Sequence, residues 1–175
     1  MEFQELADVR RSVRAYKDEA LSVEELKKIL SLGQKAPSWK NLQPARYYAA
    51  ISAEAKKAVC ECLPDFNQRS SKNASYIVTT FRKGLSGSLG EGEAAKEGDL
   101  WGAYDLGLNN AYLILAASEY GYDTLIMGIR DEEKLRDYFA IGDDETIMAV
   151  IAIGKRDQDP ALRPRKDLEE IAIIR

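Results

Sequence analysis

Apolar residues recur at helical spacing early in the chain, directly after a capping signature. Ser22 is followed three positions later by Glu25, and apolar residues then continue at three- and four-residue steps as far as Leu30. A serine followed by a glutamate at this spacing satisfies free N–H groups at the start of a helix. The pattern therefore predicts a helix over residues 23–35, which Pro37 ends.

The remaining hydrophobic pattern predicts alternating strands and helices. β-Branched and aromatic runs favour strands, whereas apolar residues at three- and four-residue steps favour helices. The predicted strands cover residues 46–51, 76–81, 124–127 and 146–153. The further predicted helices cover residues 53–63, 100–120 and 131–139, and a short helix precedes Arg10. This alternation indicates an α/β or α+β fold.

Three segments have patterns of their own. The predicted helix over residues 100–120 carries only two charges, Asp105 and Glu119, so we expect it to be buried nearly all round, at the centre of the molecule or in a dimer interface. The four glycines between positions 84 and 92 predict a mobile loop that could cover a site. The last segment, residues 157–175, is expected to extend over a neighbouring subunit.

Composition narrows the possible chemistry. The 175-residue chain is 45% hydrophobic and is expected to form one domain with a core of its own. It contains no histidine, which excludes a Ser-His-Asp triad, a Cys-His dyad and every zinc site that uses imidazole. The 25 Lys and Arg residues against 29 Asp and Glu residues give a net charge of −4, which argues against a broad nucleic-acid surface.

The two cysteines, Cys60 and Cys62, are too few for a four-thiolate metal site, and their spacing matches no redox motif. We interpret them as reduced thiols that pack in the interior. Residues 1–9 lack the basic and apolar regions of a secretory signal, and the apolar run over residues 111–118 is far shorter than a membrane span. The sequence thus predicts a soluble, cytoplasmic protein without metal, membrane or nucleic-acid partners.

Residues 90–95 satisfy the pattern G-x-G-x-x-A, which taken alone suggests a dinucleotide site. The first glycine, however, lies nine residues past the predicted strand, whereas a Rossmann turn needs it directly after the strand. Glu91 and Glu93 would also face the pyrophosphate. We therefore reject this interpretation, and no P-loop pattern occurs in the chain.

Two basic clusters lie near opposite ends of this acidic chain. They consist of Arg10, Arg11, Ser12 and Arg14, and of Arg163, Arg165 and Lys166. Guanidinium groups and a serine hydroxyl suit phosphate oxygens. A solvated basic turn is the alternative for either cluster, but together the two could converge on one anion.

The segment over residues 36–44 contains two prolines and several polar side chains. Asn41 and Gln43 each offer a donor and an acceptor, and Trp39 offers a flat face. The segment is therefore a candidate for ligand binding. The alternative is a rigid loop whose polar side chains have no role in binding. Asn67, before the second predicted strand, could likewise hydrogen-bond the polar edge of a ligand ring, or it could merely cap a turn.

Taken in this order, these segments resemble the nitroreductase family of flavin-dependent oxidoreductases. Residues 10–14 resemble its R-[RH]-S-x-[RK] signature, and residues 37–44 resemble its more specific P-S-x-x-N-x-Q-P signature. Residues 105–128 and 150–154 are similar to its long helix and later strands. The resemblance implies an α+β fold of three α/β/α layers, with a central, mostly antiparallel sheet flanked by helices. It also implies one FMN-binding domain over residues 1–175, and an obligate homodimer with the long helix at the interface.

The resemblance further implies roles in an FMN site. The phosphate or ribityl end would be bound by Arg10 and Ser12, with Arg163 and Arg165 completing the phosphate site. Arg11 would also belong to the cofactor-binding residues. The flavin ring would be approached by Arg14, Asn67 and the backbone of Ile126, Met127 and Gly128. The second subunit would contribute Pro37, Ser38, Trp39 and Asn41. Because the flavin carries the hydride chemistry, no catalytic side chain is required.

The function that the resemblance implies is the reduction of a small electrophile, such as a nitroaromatic or a quinone, by NADH or NADPH through FMN in a ping-pong reaction. Alternatives are another flavin chemistry (reductive dehalogenation or dehydrogenation of a metabolite), a flavin-binding or heme-handling module with little turnover, and an α/β dimer with decorative basic clusters. Two departures concern the pocket. Ser70 stands where many members carry a lysine at the flavin edge, and residues 83–99 are short where longer members insert helices.

Overall fold

The structure, a computed structural model, describes residues 2–90 and 93–175. Its helices are α1 (Phe3–Val9), α2 (Val23–Gly33), α3 (Ala53–Cys60), α4 (Asp65–Ser70), α5 (Leu100–Glu119), α6 (Glu132–Phe139) and α7 (Leu168–Ile171). Its strands are β1 (Ala45–Ala50), β2 (Ser75–Arg82), β3 (Ser88–Gly90), β4 (Glu93–Ala94), β5 (Asp123–Met127) and β6 (Glu145–Gly154). The ends of every predicted strand and helix are confirmed to within three residues.

Four strands form one antiparallel sheet in the order β1-β2-β6-β5. Every residue of β2 except the last is buried, as expected for a central strand that helices cover on both faces. The register between β2 and β6 shifts at Thr79 and Thr80, where Met148 forms a bulge. The mostly antiparallel sheet that the resemblance implies is confirmed.

Helices cover both faces of the sheet and create two hydrophobic cores. On one face α3 and α6 pack around fully buried residues such as Val59 and Leu135. On the other face α2 and α5 pack around Ile29 and Leu113, which are also fully buried. The result is the three-layer α+β fold that the resemblance implies.

Within one chain the long helix α5 is buried along part of its surface only, so of the two expected settings it is not a central helix of the molecule, and burial in a dimer interface stays a prediction. It packs on the sheet, on α2 and on α1. We call its remaining side, formed by Leu100, Tyr104, Gly107, Ala111 and Tyr112, the outer face of α5; all five residues are exposed. The low charge of the helix is therefore not explained by packing within one chain.

Among the described residues, no helix has the length and apolar character to span a membrane.

The Gly-rich stretch that was expected to be a mobile loop is instead tied to the rest of the chain. We call residues 84–99 the β3–β4 segment, because β3 and β4 pair antiparallel within it. The Ser86 hydroxyl donates to the Asp105 carboxylate of α5 at 2.6 Å, and the Ser88 carbonyl accepts the Trp39 indole N–H at 2.9 Å. Within the segment, the Gly84 N–H donates to the Asp99 carboxylate at 2.7 Å. Glu91 and Gly92, two positions of the rejected G-x-G-x-x-A pattern, lie outside the described residues.

The corner between α3 and α4 differs in detail from the prediction. Helix α3 ends at Cys60, and α4 begins directly after Pro64. Proline is unfavourable inside a helix but well suited to its start, so Pro64 ends one helix and opens the next. The sequence analysis did not predict α4, which carries Asn67.

Cys60 and Cys62 are both free, and Cys62 is buried. Burial raises the pKa of the Cys62 thiol, because the charged thiolate is poorly solvated in the interior. These observations favour the interpretation that the cysteines pack rather than react. No group of acidic or cysteine side chains in the described part of the chain is arranged to hold a metal ion.

The cap of α2 gives a testable pH dependence. Glu25 accepts hydrogen bonds from the Tyr122 hydroxyl and from Ser22, which lower the pKa of its carboxyl from the ordinary value of 4.5 to about 2. Because the folded state binds this proton less readily than the unfolded state, Glu25 contributes stability above its ordinary pKa. That contribution disappears as the pH falls from near 4.5 through about 2.

Glu25→Gln should therefore lower the free energy of unfolding at neutral pH and have progressively less effect as the solution is acidified. Urea unfolding of both proteins at a series of pH values between neutrality and the acid limit measures this difference. A difference that stays constant with pH would contradict the assignment of the low pKa to Glu25.

Candidate functional site

The first basic cluster lies beside β5, which is an edge strand of the sheet. Ser12 forms a parallel bridge to Thr124, and the Val13 N–H donates to the Thr124 carbonyl at 3.1 Å. Val13 is fully buried, whereas its neighbours Ser12 and Arg14 are exposed, which is the alternation of an extended chain. The core therefore holds this segment at the sheet edge with its polar groups outward.

The chain after β6 brings the second basic cluster to the same place. Arg156 donates to the Asp123 carboxylate at 2.8 Å and to the Val9 carbonyl at 3.3 Å. The Asp157 N–H donates to the Ala15 carbonyl at 2.9 Å. These bonds on both sides of the first cluster fix the direction in which the chain leaves the sheet.

The two clusters line one cavity of about 290 Å³, which we call the basic cavity. Its lining includes Arg10, Arg11, Ser12, Arg14, Arg163 and Arg165, but not Lys166. The ion pairs between described residues involve none of these five arginines. Five guanidinium groups around one cavity repel one another, so an anion that accepts their hydrogen bonds is favoured there.

The end of β5 offers backbone to a ligand. Ile126 and Gly128 are exposed, whereas the Met127 side chain is buried in the core. Arg130 donates to the Gly128 carbonyl at 2.5 Å and also donates to the Ile147 carbonyl, which fixes the backbone after the strand. The sequence analysis missed Arg130. Its side chain bonds main-chain carbonyls, and such partners cannot be recognised from residue types in the sequence.

Asn67 lies on the element next to this backbone. The Asp131 N–H donates to the Cys62 carbonyl at 2.7 Å, which ties the loop after β5 to the corner before α4. Asn67 is largely buried, yet its side-chain amide forms no hydrogen bond with another described residue. An accessible amide without a partner in the chain offers both a donor and an acceptor to a polar ligand. Ser70, where the resemblance implies a lysine in many members, donates to the Phe66 carbonyl at 2.8 Å within its own helix.

The segment over residues 37–44 lies elsewhere in the chain. Pro37 and Ser38 line a second cavity, of about 330 Å³, together with Asp105 of α5. Trp39 and Asn41 lie in a short 3₁₀ turn. The lining of the basic cavity includes none of these four segment residues. One chain therefore brings together only part of the predicted site.

Asp105 is the second residue that the sequence analysis missed. It is 3% exposed, and its Oδ2 atom accepts the Trp39 N–H at 2.9 Å and the Ser86 hydroxyl at 2.6 Å. In the sequence it counted only as one of two charges on the long helix. A polar residue in an otherwise apolar helix was the available signal, but it does not identify the partners.

Comparison with known proteins supports the resemblance. The model of the nitroreductase family matches residues 7–155. Among curated proteins, "Putative NAD(P)H nitroreductase YodC" of Bacillus subtilis (strain 168) is 31% identical, over 83% of this chain and 85% of that protein. "Putative NAD(P)H nitroreductase YdgI" of the same organism is 26% identical, over 98% of this chain and 96% of that protein.

Solved structures share the fold. The protein of Exiguobacterium sibiricum 255-15 that was solved in complex with FMN has a TM-score of 0.90 and 24% identity, covering 100% of this chain and 98% of its own. CLA-ER, described as an enone reductase of gut-bacterial fatty acid saturation, has a TM-score of 0.87 and 20% identity, covering 99% and 97%.

Proposed function

The chain belongs to the nitroreductase family, and from this we propose that it is an FMN-dependent oxidoreductase with NADH or NADPH as electron donor. The observation that carries the proposal is the basic cavity, which is lined by five arginines from both ends of the chain. The names of the curated relatives and the FMN bound by the structurally similar protein support the same pair of cofactors. In this proposal residues 1–175 form one FMN-binding domain.

The charge and the hydrogen-bond donors of the residues that line the basic cavity support this cavity as the site of the FMN phosphate. Arg10, Arg163 and Arg165 can each offer forked N–H donors, and Ser12 adds a hydroxyl at the sheet edge. Arg11 is partly engaged, because it donates to the Arg10 carbonyl at 2.9 Å. These residues would bind the phosphate and ribityl end and thereby position the rest of the cofactor.

The ring end fits the neighbouring groups. Arg14 would place a fixed positive charge at the pyrimidine side, where negative charge collects on reduction. Asn67 would hydrogen-bond the polar edge, and the backbone of residues 126–128, fixed by Arg130, would approach the N5 side. When bound, FMN supplies the hydride-transfer chemistry. The protein's part is to bind, to orient and to supply this charge, which requires no histidine.

We propose that the complete site is shared by two copies of this chain. The segment over residues 37–44 does not reach the basic cavity of its own chain, so a partner copy would supply Pro37, Ser38, Trp39 and Asn41. The outer face of α5 provides an apolar surface for that contact. The tail after β6 is exposed too, including Ile171, Ile173 and Ile174. Apolar surface of this extent commonly marks an interaction site.

The acceptor is proposed to be a small electrophile such as a nitroaromatic or a quinone. Donor and acceptor would occupy the same face in turn, which gives a ping-pong order. An enone is a further acceptor to test, since CLA-ER has the same fold and is described as an enone reductase. Other flavin chemistries, a carrier role and the cytoplasmic location stay predictions from the sequence.

An absorbance spectrum under anaerobic conditions tests the proposal. Addition of FMN to the purified protein, followed by gel filtration, should leave the visible flavin bands with the protein. NADH or NADPH should then bleach these bands, and menadione or a nitroaromatic should restore them. Protein that retains no FMN would refute the proposed cofactor, and retained FMN that neither donor bleaches would refute the proposed reaction.

A further inference from the structure

We propose that Asp105 is a positioning residue that joins the segment over residues 37–44 to the β3–β4 segment, and that this junction sets Trp39 as the wall of the acceptor site. The inference rests on the proposed function in one respect, namely that Trp39 faces the flavin of a partner copy. The junction itself is a property of one chain. Its two halves can therefore be tested separately.

The junction is built on one carboxylate oxygen. Asp105 Oδ2 accepts the Trp39 backbone N–H at 2.9 Å and the Ser86 hydroxyl at 2.6 Å, so three separate segments meet at this atom. Asp105 is 3% exposed. Burial of a carboxyl group is unfavourable unless hydrogen bonds satisfy it, and both donors here come from segments other than α5. Asp105 is thus placed to hold those segments rather than to stabilise its own helix.

Trp39 makes the second set of contacts between the same segments. Its indole N–H donates to the Ser88 carbonyl at 2.9 Å, and its ring centroid lies 4.9 Å from that of Trp101. Gly87 allows the β3–β4 segment to approach Trp101 closely, because a Cβ atom there would lie 2.8 Å from the Gly98 carbonyl oxygen and 3.1 Å from the Trp101 ring. The indole is consequently held along its edge and on its face.

The backbone beside Trp39 is strained, which makes an external anchor necessary. Lys40, Asn41 and Gln43 have φ values of 46°, 57° and 49°, in the left-handed region that non-glycine residues rarely adopt. Such conformations persist only where the surroundings enforce them, and they cluster at ligand-binding positions. The bond from Trp39 to Asp105 precedes this strained stretch, and the Ser38 hydroxyl accepts the Gln43 N–H at 3.0 Å within it. Loss of Asp105 would allow the stretch to relax.

The consequence for catalysis concerns the acceptor more than the cofactor. The FMN phosphate would be bound by the basic cavity, whose lining does not include Asp105 or Trp39. A misplaced Trp39 would instead alter contacts on the exposed side of the ring, where the acceptor lies. A small misplacement in such a wall weakens productive binding strongly.

Near-ultraviolet circular dichroism tests the junction without reference to the flavin. The chain has two tryptophans, and both belong to the contact at 4.9 Å. Asp105→Ala should lose the signal of this pair, whereas Asp105→Asn, which keeps an acceptor oxygen, should retain most of it. Ser86→Ala frees only the β3–β4 segment and should give a smaller change, which keeps the test decisive if Asp105→Ala does not fold. Asp99→Ala is the control, because Asp99 binds Gly84 of the same segment but not Trp39.

Steady-state kinetics of the FMN-loaded variants tests the acceptor wall. For Asp105→Ala or Ser86→Ala we expect the KM for menadione to rise, by roughly tenfold for the former, and by a larger factor than the FMN dissociation constant, because the arginines of the basic cavity are left in place. A tryptophan signal unchanged in both variants would overturn the junction. A lost signal with an unchanged KM would overturn the role in acceptor binding. Failure of the unmodified protein to bind FMN would overturn the proposed function and this second half together, and the dichroism would still decide the first half.

Discussion

Replacement of Arg10 and Arg163 together by alanine is expected to weaken FMN binding by about 3 to 6 kcal/mol, which corresponds to roughly a hundredfold or more in the dissociation constant. The two residues come from opposite ends of the chain yet line the same cavity. A hydrogen bond to a charged group contributes about 1.5 to 3 kcal/mol, and each guanidinium would donate to one phosphate. Because both would face the same group, their effects are coupled, and the sum holds only approximately.

Titration of the apoprotein with FMN at fixed ionic strength measures this effect. Arg10→Ala alone should lose about 1.5 to 3 kcal/mol. Lys166→Ala is the matched control, since Lys166 belongs to the same basic tail but does not line the cavity. Added salt should weaken binding to the unmodified protein more than binding to the double variant, because screening acts on the charges that the variant lacks. A double variant with unchanged affinity would remove both arginines from the site.

The elements of the fold could be predicted because their signals are local in the sequence. Ser22 and Glu25 lie three positions apart and form the capping box of α2 as expected. Asp131 caps α6 in the same manner, accepting the Lys134 N–H at 3.2 Å. Its contact with Lys134 lowers the pKa of the Asp131 carboxyl. Interactions of this range are readable from residue type and spacing alone.

The remaining features depend on contacts between distant positions. Asp105 meets Trp39 across 66 positions and Ser86 across 19, so the sequence shows the three residues without showing that they meet. Glycines permit many backbone conformations, which is why the β3–β4 segment was expected to be mobile. The anchors that restrict it, at Ser86 and Ser88, become visible only in the folded chain.

The convergence of the two basic clusters could be predicted in part: their residue types are visible in the sequence, whereas their proximity depends on the fold. Their residue types indicated an anionic ligand. The residue types do not reveal how close in space the two clusters lie, because the clusters are near opposite ends of the chain. The bridge of Ser12 to Thr124 and the bonds of Arg156 to Asp123 and Val9 supply that distance. The residue types therefore indicated an anion, the family resemblance grouped arginines of the two clusters, and the fold shows that they line one cavity.

Introduction of a charge on the outer face of α5 is expected to abolish dimer formation and FMN binding together. Ala111 is exposed near the middle of that face, beside Tyr112. In a twofold dimer Ala111→Glu would place a carboxylate from each copy in the interface, and an uncompensated buried charge costs about 3 to 5 kcal/mol. The isolated chain should tolerate the change, because glutamate is a good helix former and the position is exposed.

Sedimentation velocity, combined with FMN titration, distinguishes this expectation from general destabilisation. Ala53→Glu serves as the control, since Ala53 is exposed at the start of α3, where a negative charge is favourable. The control should behave as the unmodified protein in both measurements, whereas Ala111→Glu should be monomeric, folded by far-ultraviolet circular dichroism, and weak in FMN binding. Loss of the dimer with full FMN affinity would show that one chain suffices for the site, and would refute the contribution of residues 37–41 from a partner. If Ala111→Glu is still a dimer, the interface lies elsewhere. The apolar outer face of α5 would then be covered by another partner.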